Sequence, residues 1–137
     1  RALENEIAVL ARRIRRVIAE RARMLHPELS AVSYSILGAL VHSGPHRASE
    51  LVELFSVDKG AVSRHIQFLQ ELGFVERTPD PEDRRAAIIA ISAEGIRRLE
   101  EVSTQRREEV GASLADWTEA ELEQFVLALG RYNAALE

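Results

Sequence analysis

The chain has no cysteine, which excludes disulfides, thiolate metal sites and a cysteine-based peroxide sensor. No apolar run reaches the length of a membrane span, and residues 1–25 are too rich in charge for a secretory signal. Internal repeats and low-complexity tracts are absent as well. Positive charge is not in excess either. The net charge is −4, and Lys59 is the only lysine among bases that are otherwise arginine. A cytoplasmic protein with no membrane role is expected, and a chain that opens on Arg1 is expected to have lost its original start. What the chain does have, 46% hydrophobic and 29% charged residues over 137 positions, suits one soluble globular domain with a real core.

Residues 3–25 carry Leu3, Ile7, Leu10, Ile14 and Val17 at alternating spacings of four and three. That is the apolar stripe of a helix, and Arg12, Arg13, Arg15 and Arg16 lie between the stripe positions; Pro27 ends it. A second helix is expected from Ser30, as N-cap, to about His42, with Val32, Ile36, Leu37, Leu40 and Val41 inward. Ser43-Gly44-Pro45 makes a turn. A short helix over 48–55 buries Leu51, Leu54 and Phe55, and Ser56-Val57 turns the chain. Asp58 caps the next helix, which runs to about Leu72 and stops at Gly73. Phe74–Arg77 and Ala87–Ile91 read as strands, joined by a polar loop over 78–85 that is too long for a tight turn. Ser92 opens a long helix to about Ala115, and Thr118 caps a last one bearing Leu122, Phe125, Val126, Leu129 and Leu136. Two short helices across a tight turn, followed at once by a hairpin, make a winged helix-turn-helix. The fold class is therefore mainly α with a small β-hairpin wing. Three parts of a single structural domain follow: 1–43, an N-terminal helix and a linking helix; 44–95, the winged lobe; and 96–137, the C-terminal helices.

On the helix that begins at Asp58, Val62, Ile66 and Leu69 follow the spacing of a packed face. Lys59, Gly60, Ala61, Ser63, Arg64 and Gln67 are left outside, toward the N-terminal half that a recognition helix presents to base edges. Gly60 and Ala61 keep that half slim, and Ser63 and Arg64 bring donors for bases or phosphates. An ordinary amphipathic helix with a solvated face would show the same pattern. The wing decides between the two. Its prolines, Pro79 and Pro81, restrict the loop, and Arg84 and Arg85 sit at its end, placed for the negative potential of a minor groove. Asp83, two residues before Arg85, is expected to hold that guanidinium by a charge-assisted hydrogen bond.

At these segments the chain resembles the MarR family of bacterial regulators. The matching stretches are Ser56 to Arg64, Leu72 to Arg77, and Asp80 to Arg85 running on to Gly95, with Asp83 and Arg85 as the Asp-x-Arg wing motif. The resemblance implies a homodimer with interlocking N- and C-terminal helices that binds double-stranded DNA at a pseudo-palindromic operator. It also implies a repressor released by a small aromatic or phenolic effector, with Ser63 and Arg64 in the major groove and Arg85 in the minor. Two positions depart from the pattern. Phe68 stands where many relatives carry a basic phosphate contact, and Arg47 stands where a Ser or Thr usually caps the short helix.

Bulk charge does not help this reading. Residues 44–95 hold six bases against nine acids, a net −3, which favours a winged-helix module for protein–protein contact as the alternative. An enzyme is not expected, because none of the four histidines sits in a nucleophile or acid/base motif. Neither a cofactor nor a metal site is expected: Gly44-Pro45 breaks the helix that would bring His42 and His46 to one face. Tyr34 and Trp117 either line a ligand cavity or belong to the core, the commoner fate of such aromatics.

Overall fold

The computed structural model describes residues 1–55 and 58–137, so the turn expected at Ser56-Val57 lies outside the described residues. These residues form two compact units, 1–102 and 103–137. In chain order the elements are α1 (Ala2–Leu25), α2 (Ala31–Ser43), β1 (His46–Arg47), α3 (Ala48–Phe55), α4 (Lys59–Glu71), β2 (Val75–Pro79), β3 (Ala87–Ile91), α5 (Ala93–Ser113) and α6 (Glu119–Ala134).

The helix ends form where side-chain chemistry demands them. Ser30 Oγ accepts the Ser33 N–H at 3.1 Å and starts α2. Asp58 Oδ1 accepts the Gly60 N–H at 2.9 Å and starts α4. Gly73, at φ +77°, ends α4 in the left-handed conformation that glycine adopts without a Cβ penalty. Thr118 and Glu121 exchange bonds in a capping box that opens α6.

The first unit closes on one core. Ala22 and Leu25 of α1 meet Ile36, Leu37 and Leu40 of α2, Leu51 of α3, Val62, Ile66 and Leu69 of α4, and Ile89 of β3. Two apolar residues expected inside are not: Leu54 is 56% and Val41 54% exposed. With eight residues, α3 touches the core mainly through Leu51, and its other face is left in water. The sheet has the order β1-β3-β2, antiparallel throughout, with Val75 opposite Ile91 and Pro79 opposite Ala87. Its third strand, β1, has no counterpart in the sequence reading. Its two residues pair with Ile89 and Ile88, so the segment entering α3 is stitched to the wing.

The start of α5 is fixed to the end of α4. Ser92 Oγ donates to Gly73 O at 2.5 Å and accepts the Gly95 N–H at 3.0 Å, while the Ser92 N–H donates to Phe74 O at 2.9 Å. In the second unit α6 buries no residue, and Phe125, Val126, Leu127 and Leu136 are 48–69% exposed. No helix among the described residues is long and apolar enough to cross a membrane.

Candidate nucleic-acid interface

Helix α4 divides into two faces. Val62, Ile66 and Leu69 are fully buried and hold it to the core; Lys59, Ser63, Arg64 and Gln67 are exposed. Gly60 and Ala61 lie between, half-buried. A β-carbon built at Gly60 would stand 3.4 Å from Arg64 Nη1, so the Arg64 guanidinium lies back over the first turn of the helix. That contact is ordinary, and nothing in the chain itself requires a glycine there. Gln67 Nε2 reaches Glu71 Oε1 of the same helix at 3.5 Å.

Two further contacts brace α4 against the rest of the first unit. Phe68 packs against the core and meets the His26 ring edge-on, with centroids 5.6 Å apart. An apolar side chain therefore takes the place of the basic residue that the resemblance led one to expect. One turn earlier, His65 Nδ1 lies 3.1 Å from Ser33 Oγ and 3.4 Å from Ser30 Oγ, at the capped start of α2. Burial, and then the neighbouring Arg64 charge, lower the pKa of His65 below the usual histidine value.

The wing presents its basic residues beside this helix. Arg84 and Arg85 are exposed, as is Asp83. Asp83 Oδ1 accepts the backbone N–H of Arg85 at 3.0 Å, and no ion pair joins it to the Arg85 guanidinium. The expected charge-assisted bond is thus corrected. At a spacing of two the carboxylate meets the local N–H first and closes an Asx turn, which fixes the backbone of Arg85 rather than its guanidinium. A cleft of about 350 Å³ opens between α3, α4 and the wing, and Lys59, Ser63, Asp83 and Arg85 all line it. Arg85 also borders a second groove of about 320 Å³ with Arg77 and Arg84.

Two functional candidates escaped sequence reasoning. Arg47 and Asp80, 33 positions apart, form an ion pair at 2.5 Å at the base of the wing. Asp80 is 4% exposed, and a buried acid in a polar loop has no local signature. The two aromatics considered for a ligand cavity take part in packing. Tyr34 lies against the core of the first unit, and Trp117 meets Phe125 edge-on at 5.7 Å in the second. Tyr34 does not line the cleft beside α4. His46 gives its Nδ1 to Glu50 at 2.8 Å, which holds that carboxyl below the usual range. Among the described residues no three metal-ligating side chains cluster.

Residues 17–86 match the family model described as the MarR family. The chain belongs to the MarR family. It is 30% identical to the HTH-type transcriptional regulator YxaD of Bacillus subtilis (strain 168), over 97% of this chain and 92% of that one. It is 33% identical to the multiple antibiotic resistance protein MarR of Salmonella typhimurium (strain LT2), over 68% of each. Among solved structures it is similar to the transcriptional regulator BldR from Sulfolobus solfataricus, with a TM-score of 0.75 and 27% identity over 98% of this chain and 94% of that one. This MarR-family chain is a DNA-binding transcriptional regulator of the helix-turn-helix type and not an enzyme.

Proposed function

We propose that the chain acts in the cytoplasm as a homodimer that represses transcription from a pseudo-palindromic operator and is released by a small ligand. The observation that carries the reading is the shared cleft. Donors from the outer face of α4, Lys59 and Ser63, and the wing arginine Arg85 border one concave surface, while the opposite face of α4 is locked in the core. A helix so held enters a major groove with Lys59, Gly60, Ala61, Ser63, Arg64 and Gln67 toward the bases. Arg84 and Arg85 then reach the flanking minor groove.

Dimerisation is supported by what each chain leaves in water. Leu3, Leu10 and Ile14 of α1 and Phe125, Val126, Leu127 and Leu129 of α6 are exposed, toward the two ends of the chain. Apolar faces of that character are those that obligate two-fold interfaces cover. A dimer reading two half-sites holds its recognition helices about 34–36 Å apart, so a ligand that prefers another spacing releases DNA. The family resemblance points to a small aromatic acid or phenol as that ligand.

Selection of bound sequences from a random duplex pool tests the reading. A recovered inverted repeat is the expected outcome. No enrichment, together with no electrophoretic shift of genomic DNA at low salt, would replace it with the protein–protein module that the negative charge of residues 44–95 favours.

A further inference from the structure

We infer that the Arg47–Asp80 ion pair positions the wing, setting where Arg85 is offered to DNA; this rests on the DNA-reading role proposed for Arg85. Arg47 is the last residue before α3, in the two-residue strand that pairs with Ile88 and Ile89 of β3. Its side chain crosses to the far side of the hairpin and meets Asp80, the first residue after β2. Asp80 is almost wholly buried. Its Oδ1 accepts the Glu82 N–H at 2.9 Å, and its Oδ2 sits 2.5 Å from Arg47 Nη2. The Glu82 carboxylate stands 3.7 Å from the same nitrogen, so two wing acids share one guanidinium.

From Asp80 the loop is tied residue by residue to Arg85. The Asp80 N–H donates to Ala86 O, the Ala86 N–H to Asp83 O, and the Arg85 N–H to Asp83 Oδ1, each at 3.0 Å. A carboxylate taken out of water needs a counter-charge, and here that charge comes from the strand leading into α3 rather than from the hairpin loop itself. Arg47 also lines the cleft that Lys59, Ser63 and Arg85 border, so one end of the tie reaches the surface offered to DNA. Loss of the tie frees the loop that carries Arg85 while the core, which Arg47 does not enter, stays intact.

Asp80→Asn gives the inference a test by sign. It removes a negative charge from a DNA-binding lobe, so electrostatics alone tightens binding; positioning predicts that binding weakens. The experiment titrates a selected operator with the parent, Asp80→Asn, Arg47→Lys, Arg85→Ala, and each of the first two combined with Arg85→Ala. Hydrogen exchange follows residues 79–87 and 59–71 in the same proteins. The expected result is roughly ten-fold weaker binding for Asp80→Asn and a smaller loss for Arg47→Lys. Both losses vanish once Arg85 is alanine, because residues that act through one another are not additive. Exchange rises across 79–87 and stays unchanged across 59–71. Should Arg85→Ala bind like the parent, the DNA reading itself falls. Should Arg85→Ala weaken binding while Asp80→Asn and Arg47→Lys match or exceed the parent, only the positioning inference falls. Equal loss of protection in both segments for both variants assigns the pair to overall stability and overturns it as well.

Discussion

Gly95→Ala is the substitution whose outcome the structure fixes against the ordinary rule. In the first turn of a helix, glycine to alanine is expected to stabilise by up to about 1 kcal/mol, through helix propensity and a less flexible unfolded chain. At Gly95 the new β-carbon would stand 2.4 Å from Phe74 O and 2.8 Å from Ile91 Cγ1. The first of these is backbone and cannot rotate away. Its carbonyl also accepts the Ser92 N–H, so moving it strains the junction at which Ser92 caps α5. Overpacking of this kind costs about 1–3 kcal/mol. The contact is close enough to put Gly95 at the upper end, and weakening of the cap adds about 1 kcal/mol. Set against the propensity gain, the net loss is about 3 kcal/mol, or a fall in Tm of roughly 10 °C for a domain of this size. Thermal unfolding followed by circular dichroism measures it, with Gly38→Ala as the control. Apart from its neighbours and its own helix backbone, nothing among the described residues lies within 4 Å of a β-carbon built at Gly38, so that variant should hold or raise Tm. A Gly95→Ala protein that melts within 2 °C of the parent, taken as about 0.5 kcal/mol, would refute the reasoning.

Other expectations concern DNA and assembly. Arg64→Ala should cost about 1–3 kcal/mol on the preferred operator and blur discrimination at one position per half-site, measured by titration on a panel of single-base variants. Arg85→Ala should weaken many sites together and, where a phosphate contact is lost, flatten the log–log salt dependence by about 0.9. Since the folded pKa of His65 lies below its unfolded value, the unfolded chain binds the proton first. Stability should therefore be full above the ordinary histidine pKa of about 6.5 and fall as pH drops below it. Urea unfolding at stepped pH should show that fall in the parent and a smaller one in His65→Gln. Val126→Arg, at a 66% exposed site on α6, should leave the first unit folded while sedimentation shows dissociation; an unchanged dimer would remove α6 from the interface.

What could be read from the sequence was what local chemistry decides. The caps at Ser30, Asp58 and Thr118, the left-handed Gly73 and the packed face Val62-Ile66-Leu69 each depend on residues within a turn or two, and each stands where expected. What depends on distant partners was not legible. Strand β1 consists of His46 and Arg47, residues with no strand pattern, and it exists because Ile88 and Ile89 come to lie beside it. The Asp-Pro-Glu-Asp stretch offers three acids, and only the packed hairpin shows that Asp80 is the one taken inside and matched to Arg47. Periodicity placed Leu54 and Val41 inward because it ranks faces without knowing how wide the neighbouring element is. Asp83 was matched to the wrong atom of Arg85 for the opposite reason: the backbone N–H is nearer than any side chain.

The two faces of α4 have a consequence for how such a protein can change over generations. The residues that fix the helix in place, Val62, Ile66 and Leu69, never meet the outside, while Lys59, Ser63 and Arg64 contribute nothing to the core. One stretch of thirteen residues thus carries two messages interleaved at the helical repeat, one read by the fold and one left to be read by a partner. Mutations in the second can accumulate without taxing the first. A lineage can move from one target sequence to another through intermediates that all stay folded, and a duplicated copy can diverge in what it recognises while its architecture stands still.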